Sequence, residues 1–208
     1  MDPALTDCAG WALIAGPVLF MIGAAAWDPR VFQGDTEAVI RNVATRRRRW
    51  TWIHGWMAAG VVGTTAGIGV WQSIQSSWPA GTAAWIAMLL FLFAAAVYLV
   101  GIAIRHGVDG AAASAISAGD PIPAGLATWH AFGGTIHSTY VYLANAAGIA
   151  LGASAILADP RLAVIGWIGI AMGAVFIVGY RAFTPWFAPP FIPTVFPAVL
   201  GIALLVAT

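Results

Sequence analysis

The sequence predicts an all-α integral membrane bundle of about six transmembrane helices with both termini outside. Three observations predict it. Of 208 residues, 61% are apolar and only 8% charged, whereas a soluble domain is about half apolar and a quarter charged. Too few charges remain to coat a folded surface in water, so lipid must cover much of it. The apolar residues also form about six runs of membrane length, each close to the roughly 20 residues a bilayer core requires. Finally, no Asp, Glu or Arg falls inside any of those runs, and the basic residues collect on alternate connections.

The spans are read as Ala9 to Trp27, Thr51 to Trp71, Thr82 to Ile104, Trp129 to Leu157, Leu162 to Tyr180 and Phe191 to Thr208. Residues 1–208 form one transmembrane domain. Met1 to Asp7 carry two acids and no base, unlike the basic start of a secretory signal, so the first run is expected to stay in the mature protein. Span 4 is long, about 43 Å of helix, and must tilt, kink near Gly133-Gly134 or project inward. Span 6 opens among Pro189, Pro190, Pro193 and Pro197, positions tolerated early in a helix.

Following the chain places Arg30, Arg41, Arg46, Arg47, Arg48, Arg49, Arg105 and Arg181 on one side and only Arg161 on the other. This asymmetry orients the first, third and fifth connections toward the cytoplasm. Tryptophans fall at both edges: Trp27, Trp50, Trp52, Trp129 and Trp186 inside, Trp11, Trp71, Trp78 and Trp85 outside. Their placement reads as two interfacial belts.

The cytoplasmic loop 28–50 is the longest polar stretch. Asp35 or Thr36 is placed to cap a helix, with Glu37 in its first turn and Val39, Ile40 and Val43 on one face. An amphipathic, Arg-rich surface helix on the inner leaflet follows. Arg46, Arg47, Arg48 and Arg49 would meet anionic headgroups at about 1 kcal/mol each. The other sizeable inner segment, Arg105 to Ala124, has a low-complexity Ala-Ser middle and reads as a loop with a short surface helix.

Gly55, Ala59, Gly63 and Gly67, with Gly148/Gly152 and Gly169/Gly173, repeat small residues every four positions. Such ladders let helices approach closely in lipid, within the chain, in a homo-oligomer or against a membrane-protein partner.

Composition excludes several chemistries. There is no Lys, so Schiff-base catalysis is out, and one cysteine, Cys8, makes neither a disulfide nor a thiolate cluster. A net charge of +1 with a single basic run gives no nucleic-acid footprint. Carboxylates confined to loops disfavour ion-coupled transport, which uses intramembrane ionisable groups. No hydrolase elbow, zincin motif or phosphate loop is present.

Histidine remains. His130 and His137, seven apart, project from nearly the same side of span 4 at about 100° per residue, with Asn145 near that stripe. His54 lies one turn inside span 2. Together with Tyr140 or Tyr142, Arg181 and His106, these residues would line an inward-open pocket for an apolar small molecule or lipid, with histidine and tyrosine as hydrogen-bonding or proton-transfer groups. Two alternatives stay open. His54 and His130 could hold haem b or another metal in a membrane redox protein, or the histidines could be interfacial residues, with His137 and Asn145 bonding between helices.

The order of features also resembles a family. Arg49-Trp50 with His54, Asp159-Pro160-Arg161, Gly166-Trp167-Ile168-Gly169 and Phe187-Ala188-Pro189-Pro190-Phe191 are similar to small uncharacterised multi-spanning membrane proteins of high-GC bacteria. The resemblance implies a six-helix bundle in the bacterial cytoplasmic (inner) membrane and brings no activity with it. The four-arginine run and His137 depart from that pattern.

Overall fold

A computed structural model describes residues 3–26, 36–182 and 189–207. Seven α-helices account for most of them: α1 (Pro3–Ala25), α2 (Thr36–Thr45), α3 (Arg47–Ser73), α4 (Trp78–Ala118), α5 (Leu126–Ala158), α6 (Ala163–Ala182) and α7 (Ile192–Ala207). A 3₁₀ turn, Pro160–Leu162, enters α6, capped by the Asp159 side chain accepting from the Arg161 N–H. Trp27, Asp28, Arg30, Asp35 and Trp186 lie outside the described residues.

Four stretches are long and apolar enough to cross a membrane: Pro3–Ala25, Trp78–Ala118, Leu126–Ala158 and Pro160–Ala182. They cover spans 1, 3, 4 and 5. Span 2 falls within α3, a helix of 27 residues that carries His54, Thr64, Thr65 and Gln72. Its neighbours α1, α4 and α7 shelter it, and Thr64 and Thr65 return their hydroxyls to the carbonyls of Gly60 and Val61. Span 6 corresponds to α7, whose 16 residues make about 24 Å of helix.

Packing runs α6, α5, α4, α3, α1, with α7 closing the bundle mainly against α1. The α1–α3 seam depends on missing side chains. A Cβ on Gly60 would stand 2.5 Å from the Phe20 backbone, and one on Gly67 would stand 2.5 Å from the Ala12 carbonyl oxygen. Gly152 and Gly166 meet in the same way between α5 and α6, and Gly10 and Gly201 between α1 and α7. The sequence ladder was one register off in part. Gly55 and Gly148 face no atom within 4 Å, and Ala59 is exposed, so the working row on α3 is Gly60, Gly63 and Gly67.

Two belt assignments are corrected. Trp71 is fully buried, its Nε1–H donating to Ser154 Oγ at 3.0 Å, and Ser154 Oγ donates to the Ala80 carbonyl at 3.0 Å. This chain of bonds ties α3, α4 and α5 together at the end opposite the arginines. Trp50 is buried as well. Trp11, Trp52, Trp78, Trp85 and Trp129 are exposed, as anchors should be.

The loop expected from Arg105 onward is largely helix. α4 continues without a break to Ala118, 41 residues or about 60 Å, twice the thickness of a bilayer core. Alanine is the best helix former, and no proline intervenes before Pro121. Gly119, at φ 84°, ends the helix by accepting a left-handed conformation that other residues adopt only at a cost. α5 likewise stays helical through Gly133-Gly134.

This overhang gives α2 something to pack on. Ile40 and Val43 are buried with Trp50, Ala112, Ala113 and Leu126 in a small apolar cluster separate from the main core. The apolar face of α2 therefore meets protein, and its outer surface carries Arg41, ion-paired with Glu37.

Candidate functional site

His54, His106, His130, Arg181 and the run Arg46 to Arg49 sit toward one end of the bundle, where α3 and α5 begin and α4 and α6 finish. Asp109 sets the arrangement. Its carboxylate is buried, at 2% residue exposure, and accepts a hydrogen bond from His130 Nε2 at 2.9 Å. A buried carboxylate without a partner is strongly disfavoured, so His130 is the group that makes Asp109 tolerable there. The reading that all carboxylates lie in loops is thus overturned at this residue: Asp109 sits within α4 and joins it to α5.

His106 lies one turn earlier on α4, within electrostatic reach of both Asp109 and Arg47. Its ring meets His54 edge-on, centroids 5.0 Å apart. His54 is buried, packs on Trp50 at 4.2 Å, and bonds the Trp50 carbonyl through Nδ1 at 2.9 Å. A carbonyl only accepts, so the hydrogen is on Nδ1. The row His54, His106, Asp109, His130 therefore crosses three helices, α3, α4 and α5.

His54 and His130, the proposed axial pair, thus have different immediate partners, and among the described residues no three His, Cys, Asp or Glu side chains group as ligands for a metal ion. His106 and Asp109 were the members sequence reasoning undervalued. Their spacing of three on one helix was the available signal, hidden by reading the segment as a loop.

His137 belongs to a second group, deeper along α5. Its ring centroid is 6.3 Å from Tyr140 and 6.1 Å from Tyr180 of α6. Tyr142 meets Tyr180 edge-on at 5.6 Å, and Ser138 Oγ shares a hydrogen bond with the Tyr180 hydroxyl at 2.9 Å. Tyr140 is buried, donates to the Pro190 carbonyl at 2.8 Å and packs on Tyr98 at 4.6 Å. Asn145 is buried too, but its amide donates to Val141 one turn back at 2.8 Å, so that bond stays within α5. Arg181 is exposed at the end of α6.

Arg46, Arg47, Arg48 and Arg49 are all exposed. Arg49 donates twice to the Ala26 carbonyl, at 2.7 and 3.1 Å, and Arg47 Nη1 donates to Ser114 Oγ at 3.3 Å. Two of the four thereby brace the start of α3 against α1 and α4.

Fold and site together define an all-helical bundle of membrane-protein type, apolar along its flanks and rich in imidazole and guanidinium at one end. No protein-family model, no curated protein and no solved structure matches the chain.

Proposed function

We propose that the chain is a six-span protein of the bacterial cytoplasmic membrane, both termini outside, that binds an amphiphilic small molecule of the lipid class, alone or as an accessory subunit. The observation that carries this reading is the division of the surface. Leu92, Phe93, Val164, Trp167, Val175 and Val178 are exposed on the flanks of α4 and α6, where only acyl chains suit them. The arginines of α2 and α3 crowd one end, where anionic headgroups suit them. Such a surface matches a molecule with an apolar tail and a polar head.

Packing supports the two remaining spans. α3 lies against α1, α4 and α7, with Thr64 and His54 buried, and α7 is held along α1 at Gly10 and Gly201. Six crossings put the starts of α3 and α5 on the cytoplasmic side with eight of the nine arginines, in keeping with the charge rule. His54, His130, His137, Tyr142, Asn145 and Arg181 then lie toward the inner leaflet as candidate ligand contacts.

Native mass spectrometry of gently extracted protein tests the reading. The expected result is a chain carrying retained lipid, another amphiphile or a partner subunit. A bare monomer under conditions that preserve lipid on other membrane proteins would overturn it.

A further inference from the structure

Arg47 is not simply one of four surface arginines. Its guanidinium lies against α4, donating to Ser114 Oγ within electrostatic reach of His106. Ser114 Oγ in turn donates to the Gly110 carbonyl at 2.9 Å. His106, Gly110 and Ser114 are four residues apart, so they share one face of the helix. That face is bare in the middle: a Cβ at Gly107 or Gly110 would meet no atom within 4 Å. Of the described carboxylates, Asp109 is bonded to His130 and Glu37 to Arg41.

The depth also fits. Gly107 follows the last apolar residue of its span, Ile104, by one turn, about 5 Å along the axis, which is headgroup level if the span ends there. A phosphate at that level would meet a guanidinium and an imidazole, and the absence of side chains at Gly107 and Gly110 would let it approach the backbone closely. A choline-bearing head carries the same phosphate but with a cation tethered beside it, which cancels the net charge that Arg47 would attract.

We infer that the bare notch of α4 between His106 and Ser114, with Arg47 at its Ser114 end, seats the phosphate of an anionic lipid headgroup. This rests on the six-span lipid-binding reading and narrows it to one site and one ligand class.

The test is lipid retention by the intact chain. Purified protein is exchanged with vesicles of phosphatidylglycerol or of phosphatidylcholine, and retained lipid is counted by native mass spectrometry, with and without millimolar inorganic phosphate. Wild type should retain phosphatidylglycerol over phosphatidylcholine. Arg47→Gln removes the cation, and Gly110→Leu fills the notch without changing charge. Arg47→Gln should lower phosphatidylglycerol retention by about fivefold, the loss of one arginine–headgroup contact, and Gly110→Leu should lower it too. Gly110→Ala, which keeps most of the space, should lose less, and Arg161→Gln, at the far end, should lose nothing.

Retention that survives inorganic phosphate identifies the lipid as the ligand source. Displacement by phosphate keeps the chemistry but overturns the headgroup in favour of a free phosphate. Equal retention by wild type, Arg47→Gln and Gly110→Leu overturns the notch while leaving lipid binding intact. No retained phosphatidylglycerol on wild type overturns the site and the lipid reading together.

Discussion

His130 Nε2 lies 2.9 Å from Asp109 Oδ1, joining α5 to α4 beyond the last apolar turn of span 3. The pair is asymmetric: the Asp109 side chain is 3% exposed and that of His130 31%. Removing the imidazole leaves a carboxylate with nowhere to go, whereas removing the carboxylate leaves an imidazole that water can still reach.

His130→Ala should therefore destabilise the bundle more than Asp109→Ala. The expected loss is about 2 to 3 kcal/mol, below the fully buried range because His130 is partly solvated. The double variant should lose less than the sum of the two, with a coupling above about 1 kcal/mol. Thermal unfolding of the four proteins in a mild detergent measures this, and additive losses would dissolve the pair as a unit.

The glycines give a contrast within one helix. Gly60→Ala drives a methyl into the Phe20 backbone and should cost about 1 to 3 kcal/mol, as overpacking does. Gly55→Ala meets open space and should be neutral or stabilising by up to about 1 kcal/mol through helix propensity. The melting temperatures of the two variants should fall on opposite sides of, or one level with, wild type.

Asp159 supplies a pH dependence outside the spans. The Arg161 side chain, and next its backbone N–H, hold the Asp159 carboxyl below its usual range. A depressed carboxylate contributes stability that is present above its unfolded pKa and is lost as pH falls through the lower folded value. Arg161 is exposed and Asp159 partly so, so the effect is small. Asp159→Asn should lower the melting temperature slightly at neutral pH, and the difference should vanish in strong acid.

Much of the fold was legible because lipid imposes a simple rule on sequence: apolar runs and the placement of arginine mark the helices without any tertiary information. What was not legible depended on neighbours. The α4 overhang was missed because Gly107 to Ala118 resembles a low-complexity linker, although its alanines favour helix and only Gly119 stops it. Asp109 was consequently assigned to a loop, and its bond to His130 needs both helices in place to be seen. Trp71 stands at a span end like an anchor, but Ser154, 83 residues away, draws it inside. On α3 the ladder from Gly55 to Gly67 was visible, yet which glycines touch α1 depends on the rotation of two helices about each other, which spacing alone leaves open.

At the candidate site, residue type singled out His54, His130 and His137 but not the side chains they touch. His106 was expected only to complete a pocket, and the structure places it against His54 and near Asp109. Asn145 was read as a pocket residue or as a bond between helices, and its amide bonds within α5.

The central claim is a membrane bundle whose arginine end faces the cytoplasm, and site-specific labelling tests it most directly. Cys8 is the only cysteine and is exposed near the start of α1. On spheroplasts, a membrane-impermeant maleimide should label Cys8 from outside. In a Cys8→Ser background, Arg48→Cys should be labelled only after the membrane is opened. Labelling of Arg48→Cys on sealed spheroplasts, with Cys8 protected until lysis, would contradict the account.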